Sequence, residues 1–66
     1  MRDPNRIMSV CALVERVWRE DFPDMRFMQL MSNFAVWYGA DPFYMEDDTF
    51  KEKFLDFTAS MKEERS

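Results

Sequence analysis

Residues 24–39 read DMRFMQLMSNFAVWYG, and this stretch decides the fold. Its apolar side chains recur at the three- and four-residue intervals of one helix face. That inner stripe consists of Phe27, Leu30, Met31, Phe34 and Tyr38, widened by Met28, Ala35 and Trp37. Gly39, the single glycine, stands where a left-handed C-terminal cap is favoured. We predict a helix over about residues 24–38, apolar around half its circumference and therefore central or covered on a second side.

The start of this helix is marked by Pro23, because the residue before a proline is steered away from the α conformation. Asp21 with Pro23 in the first turn, or Asp24, can supply the N-terminal cap. The sequence leaves both alternatives open.

An earlier helix begins at Asp3-Pro4, where a carboxylate can cap free amides and proline is tolerated in the first turn. Its apolar side chains follow the same helical spacing. The predicted inward stripe is Ile7, Val10, Cys11, Val14, Val17 and Trp18. We predict helix 1 over about residues 4–19.

The third helix follows a connector at residues 40–48, which we predict to be extended because Pro42 and clustered acids disfavour a helix. Helix 3 starts at Asp47, Asp48 or Thr49, and Thr49 with Glu52 has the spacing of a capping box. Its inner face carries Phe50, Phe54, Phe57 and Met61. We predict helix 3 over about residues 49–62. The fold class is therefore all-α: a compact three-helix bundle forming one domain over residues 1–66, with an acidic extended connector between helices 2 and 3.

The apolar content is high for so short a chain. In 66 residues, 47% are hydrophobic and 17% aromatic, although a domain of this size buries only roughly 60% of its unfolded surface. Part of this apolar surface should face outward, where a homodimer or a protein partner would cover it. The alternative is that partly exposed aromatic residues at the rim are ordinary.

The cysteine count and hydropathy bear on compartment. Cys11 is the only cysteine, so no disulfide forms within the chain, and a lone thiol fits a reducing cytoplasm. The longest apolar runs, such as Phe34 to Tyr38, are far shorter than the roughly 20 residues that span a bilayer. We expect a cytoplasmic protein with no membrane contact.

The negative charge is concentrated in the connector. Residues 41–48 hold four acids and no base, and since the chain has 13 acids and 9 bases, the remainder is neutral. No clustered basic face is visible, so we expect no direct binding to nucleic acid. Glu46, Asp47 and Asp48 could favour the start of helix 3, bind a cation weakly, or engage a basic groove of another protein.

Catalytic chemistry has little support. Histidine is absent, which removes the usual general base near neutral pH and the commonest metal ligand. Cys11 lies on the predicted inward stripe, where a thiol is expected to be buried and inert. The acids lack the spacing and the glycine of an EF-hand loop. We therefore predict no enzyme activity, no cofactor and no metal site.

Candidate contact residues fall into two groups. Arg26, Gln29 and Asn33 form a polar ridge on helix 2, and pairing with Asp24 or with the connector would explain Arg26 near a helix start. The hypothetical partner-binding residues are Arg26, Gln29, Asn33, Phe43, Tyr44, Glu46, Asp47 and Asp48. The hypothetical self-association residues are Met25, Met28 and Trp37, methionine being adaptable at contacts but also common as core filler.

Several short segments, taken together, resemble a known family. They are residues 2–7 (RDPNRI), Trp18 followed by Pro23-Asp24, Gln29-Leu30, and residues 41–48 (DPFYMEDD). Across nearly the entire chain the sequence resembles the YihD-like family of small bacterial proteins, whose short members also occur among phage and mobile-element genes. The spacer between Trp18 and Pro23 is one residue longer than in the family pattern. The resemblance implies a compact helical domain and no catalytic or binding residues.

Two functions are compatible with these features. The first is a non-enzymatic protein–protein interaction module that associates with itself, as a dimer, or with another protein. The alternative is a phage or mobile-element inhibitor whose acidic surface blocks the nucleic-acid-binding site of a host defence protein.

Overall fold

A computed structural model describes residues 2–65, so the two ends of the predicted domain, Met1 and Ser66, lie outside the described residues. The described chain is all-α, with three α-helices, one short 3₁₀ helix and no strand. The elements are α1 (Arg6–Asp21), α2 (Phe27–Tyr38), the 3₁₀ helix η1 (Pro42–Tyr44) and α3 (Asp47–Arg65).

Helix α1 begins and ends two residues later than predicted. Asp3 is not the cap of the helix, because Asn5 occupies the N-cap position without a side-chain capping bond; the Asp3 carboxylate instead accepts a hydrogen bond from the Asn5 amide at 2.9 Å, in a turn that leaves Pro4 outside the helix. At the other end, Phe22 leaves the α conformation directly before Pro23, as the steric rule for the residue before proline predicts.

The predicted caps of α2 are both wrong. Asp21 belongs to α1 and Asp24 to the turn, while Arg26 is the extended residue that precedes the helix. The Gln29 side-chain oxygen accepts from the Arg26 amide at 2.8 Å. Because a guanidinium has no acceptor, this is one half of a capping box. Gly39 ends α2 in the left-handed conformation at φ 82°, as its position predicts.

The connector is not fully extended, and it is shorter than predicted. Pro42 opens the 3₁₀ helix, and the Asp41 carboxylate caps it by accepting from the Phe43 amide at 3.0 Å. Asp47 and Asp48 belong to the first turn of α3, so Thr49 lies inside the helix and is not its cap. Helix α3 continues to Arg65 because residues 62–65 contain neither proline nor glycine.

Helix α3 packs against both other helices, whereas the backbones of α1 and α2 approach each other only weakly. Arg6 pairs with Asp47 near the two helix starts and Asp21 with Lys62 near the two ends, so α1 and α3 run in the same direction. The buried apolar core consists of Val17, Phe22, Leu30, Phe34, Phe54 and Phe57. Helix α3, rather than α2, is therefore the central helix.

Aromatic contacts hold the core together. Phe34 meets Phe50, Phe54 and Phe57 edge-on, with ring centroids 5.3 to 5.7 Å apart. Such arrangements are favoured by the ring quadrupoles. Thr58, whose side chain is polar and buried, donates its hydroxyl to the Phe54 carbonyl at 2.8 Å, so this desolvated hydroxyl is paired.

Candidate functional site: an apolar groove between α1 and α2

An open groove lies between α1 and the first half of α2. Its walls and floor are almost entirely apolar, and its volume is about 380 Å³. We define the apolar groove by Val10, Cys11, Val14, Trp18, Phe27, Met31 and Phe50, with Glu15 and Arg19 also bordering it. Helices α1 and α2 each pack against α3, whereas their backbones approach each other only weakly. The groove is therefore left open between them.

Trp18 fixes one end of the apolar groove. Its indole Nε1 donates to the Met25 carbonyl oxygen at 2.7 Å, and its ring lies against Phe27 with centroids 5.6 Å apart. This bond satisfies the single polar atom of the indole and ties α1 to the turn that leads into α2. The apolar groove is thus bounded at that end by a well-anchored side chain.

Cys11 corrects the sequence prediction. The periodicity of α1 places it on the inward stripe, but the structure leaves its thiol exposed on the wall of the apolar groove. Ile7, one turn earlier on the same stripe, is 52% exposed. The core side of α1 is instead occupied by Val17 and by Leu13, which the predicted stripe omitted. The apolar stripe of α1 is present as predicted, but one edge of it faces the core and the other edge, with Ile7 and Cys11, faces solvent.

The polar ridge predicted on α2 borders a second, wider cleft beside the α1–α2 turn, of about 680 Å³. Gln29 and Asn33 line it together with the proposed self-association residues Met25 and Met28. Gln29 is already used as a cap, and the Asn33 amide contacts the Met25 sulfur at 3.7 Å. The structure thus brings together members of both predicted groups.

The remaining members of those groups lie elsewhere. Arg26 is exposed, and its guanidinium pairs neither with Asp24 nor with an acid of residues 40–48, all of which the structure describes, so that predicted pairing is wrong. Trp37 is half-buried, stacks on Phe34 with ring centroids 6.1 Å apart and meets Phe57 edge-on at 5.8 Å. Met28 is 66% exposed, whereas Met25 packs against the core.

Each acid of the predicted acidic surface has a partner within the chain. Glu46 pairs with Arg2 at 3.3 Å and Asp47 with Arg6 at 2.6 Å. Asp48 pairs with Lys51 at 3.6 Å. Asp41 accepts the capping hydrogen bond from the Phe43 amide. Although such exposed pairs contribute little stability, they reduce the negative charge that this surface offers to a basic partner.

Phe43 and Tyr44 form an exposed aromatic pair on η1. They are 76% and 87% exposed, and their ring centroids lie 4.9 Å apart in an edge-on arrangement. This pair stands beside the paired acids, not in the apolar groove or the wider cleft. The predicted partner-binding residues therefore occupy two separate parts of the surface.

Two further properties concern chemistry and membranes. In the part of the chain that the structure describes, no three side chains of the His, Cys, Asp and Glu types converge as a metal site would need. Over the same residues, none of the helices combines the length and apolar character required to cross a bilayer.

The signal for the apolar groove is present in the sequence. Ile7, Cys11, Val14 and Trp18 follow one another at intervals of four, three and four residues, which is the spacing of a helix–helix seam. A seam of this kind fits either a core or an interface between helices. Only the packing of α3 against the other side of α1 shows that the seam is left open.

Comparison of the chain with protein-family models, with curated proteins and with solved structures finds no match. The resemblance to the YihD-like family therefore stays an expectation from the sequence. The surface of the molecule is therefore the evidence on its function.

Proposed function

We propose that this chain is a non-enzymatic interaction module that binds an apolar helical segment in the groove between α1 and α2. The observation that carries the proposal is the apolar groove itself, a continuous apolar surface left open to water on a folded domain. Exposed apolar surface is unfavourable in water, and covering it is the main driving force of most protein association.

The shape of the apolar groove favours a helical ligand. Two helices form its walls, and Met31 and Phe50, half-buried, contribute from α2 and α3. Amphipathic helices bind in such grooves by inserting apolar side chains spaced three and four residues apart. Met31 can adapt to different side chains because methionine is unbranched and polarizable.

Non-enzymatic action is proposed because the chain lacks histidine and because the exposed thiol of Cys11 lies in a mainly apolar groove whose two charged members, Glu15 and Arg19, pair with each other at 3.3 Å. An exposed, unpaired thiol also supports action in the reducing cytoplasm.

The test is ligand binding by matched variants at low micromolar protein concentration. Cys11→Glu places a charge in the apolar groove at an exposed helical position. Val36→Glu, at a residue that is 81% exposed on α2 and outside the groove, is the control. We expect the apolar dye 1-anilinonaphthalene-8-sulfonate, and amphipathic helical peptides selected by display on the wild-type protein, to bind wild type and Val36→Glu but not Cys11→Glu. Equal binding by all three folded proteins, or none by wild type, would contradict the proposal.

A further inference from the structure

We infer that a second copy of this chain occupies the apolar groove, with the two α1 helices packed antiparallel along the stripe Ile7, Cys11, Val14 and Trp18. This inference rests on the proposed function, because it names the partner of the same surface. It is carried by the spacing of the stripe, by the match of side chains across a twofold axis and by the placement of charge.

The stripe has the geometry of a helix–helix seam. Its intervals of four, three and four residues alternate as the d-to-a and a-to-d intervals of a coiled-coil heptad do. Ile7 and Cys11 are exposed, and Val14 and Trp18 are half-buried. Leu13 and Val17 hold the helix to the core, and Val14 and Trp18 pack against the core as well, so Ile7 and Cys11 are the members of the stripe that are presented outward.

The stripe is complementary to itself when reversed. In an antiparallel pair centred between Cys11 and Val14, Cys11 of one copy faces Val14 of the other, and Ile7 faces Trp18. Each layer thus pairs an a-type with a d-type position, and the small thiol does not meet a second thiol. A twofold interface requires such self-complementarity, because the same patch must serve both copies.

Charge favours the antiparallel orientation over the parallel one. Four carboxylates, two guanidiniums and the Lys51 ammonium, which pairs with Asp48, cluster near the start of α1 and leave a net charge of −1 there. This cluster consists of Arg2, Asp3, Arg6, Glu46, Asp47, Asp48 and Lys51. A parallel pair would bring two such clusters together, whereas an antiparallel pair separates them and places each near the other end of its partner's α1. There Glu15 and Arg19 neutralise each other at 3.3 Å.

The size of the contact face on α1 sets how strongly the two copies are expected to associate. Helix α1 has 16 residues, a length of about 24 Å, and the flank of α2 widens the face beside it. A face of this size is at the lower end of stable interfaces, which bury about 800 Å² per partner at standard size. We therefore expect a weak dimer whose formation depends on protein concentration.

The first experiment measures mass by light scattering from micromolar to millimolar protein. Wild type and Val36→Glu should rise from 8.1 kDa towards twice that mass. Cys11→Glu should need at least about tenfold higher concentration, because the interface would bury an unpaired carboxylate. Wild type that stays monomeric throughout, or a Cys11→Glu protein that associates like wild type, would overturn the inference.

The second experiment tests the orientation by disulfide trapping and does not depend on the Glu variant folding. The wild-type protein, which carries the native thiol of Cys11, is mixed with the double variant Cys11→Ser/Val14→Cys under mild oxidation. The antiparallel seam predicts a covalent heterodimer between positions 11 and 14 and little homodimer of either protein alone. Efficient homodimers of each protein would show a parallel pair and overturn the arrangement.

The two proposals can fail separately. If wild type stays monomeric yet binds helical peptides that Cys11→Glu rejects, the apolar groove has another partner and only the second-copy inference is wrong. If neither peptides nor the dye distinguish Cys11→Glu from Val36→Glu, the proposed function itself is wrong.

Discussion

The apolar stripes of α1 and α3 look equivalent in the sequence, but the structure uses them differently. On α3, Phe54 and Phe57 are fully buried and contact the rings of α2. On α1, Val17 is buried, while Ile7 and Cys11 at the other edge of the stripe are exposed. Apolar periodicity therefore identifies a surface that needs covering without saying whether the chain itself or another molecule covers it.

The largest effect is expected at the centre of the α3 face. Phe54→Ala should cost about 3–5 kcal/mol, because it removes a fully buried ring and leaves a cavity. A 66-residue domain has a total stability of only about 3–10 kcal/mol, so we expect a largely unfolded protein by circular dichroism. The matched variant Phe43→Ala, at an exposed ring, should change stability by less than about 0.5 kcal/mol. Similar losses for both would contradict the packing described.

The next largest effect separates the two edges of α1. Leu13→Ala should cost about 2 kcal/mol in urea unfolding, since Leu13 packs against the core. Ile7→Ala should cost less than about 1 kcal/mol, because that side chain is half-exposed in the monomer. The reverse order would show that the predicted inward stripe faces the core after all.

A smaller effect is expected from Trp18→Phe, which keeps an aromatic ring beside Phe27 but removes the indole donor to the Met25 carbonyl. Loss of one intramolecular hydrogen bond should lower the free energy of unfolding by about 1 kcal/mol. Tyrosine at the same position has the same ring size as phenylalanine and adds a hydroxyl donor, so it is the control for the polar atom. An unchanged unfolding free energy would show that the bond does not anchor this end of the apolar groove.

The smallest effect concerns the ion pair between Arg6 and Asp47, whose side chains are both about one-third exposed. Arg6→Gln should cost about 0.5 kcal/mol at low salt, and the cost should shrink as salt rises. A double-mutant cycle with Asp47→Asn measures the coupling directly. A coupling that is large and independent of salt would contradict the surface character of this pair.

Much of the fold follows from the sequence. The three helices, the inner face of α3 and the left-handed cap at Gly39 all depend on local spacing or on one residue type. The helix boundaries shifted by two or three residues at α1 and at the starts of α2 and α3. There, capping depends on which side chain reaches which amide, as for Gln29 and Arg26.

The candidate site was harder to predict because it depends on contacts between distant parts of the chain. Pairing of Arg6 with Asp47 joins residues 41 positions apart, which no local pattern reveals. Likewise, the exposure of Cys11 follows from α3 packing on the other side of α1, with Leu13 and Val17 turned inward. Sequence periodicity assigned the α1 residues of the apolar groove to the core, which is correct for Val14 and Trp18 and wrong for the exposed Cys11.

The most direct test of the central claim is the reactivity of the Cys11 thiol, the only one in the chain, towards a disulfide reagent. If the apolar groove is open, the thiol of the native protein reacts rapidly at low concentration, and the reaction slows as protein concentration rises and the second copy covers it. A thiol that reacts only when the protein unfolds, at a rate that denaturant controls, would show that this face of α1 is core and would contradict the account.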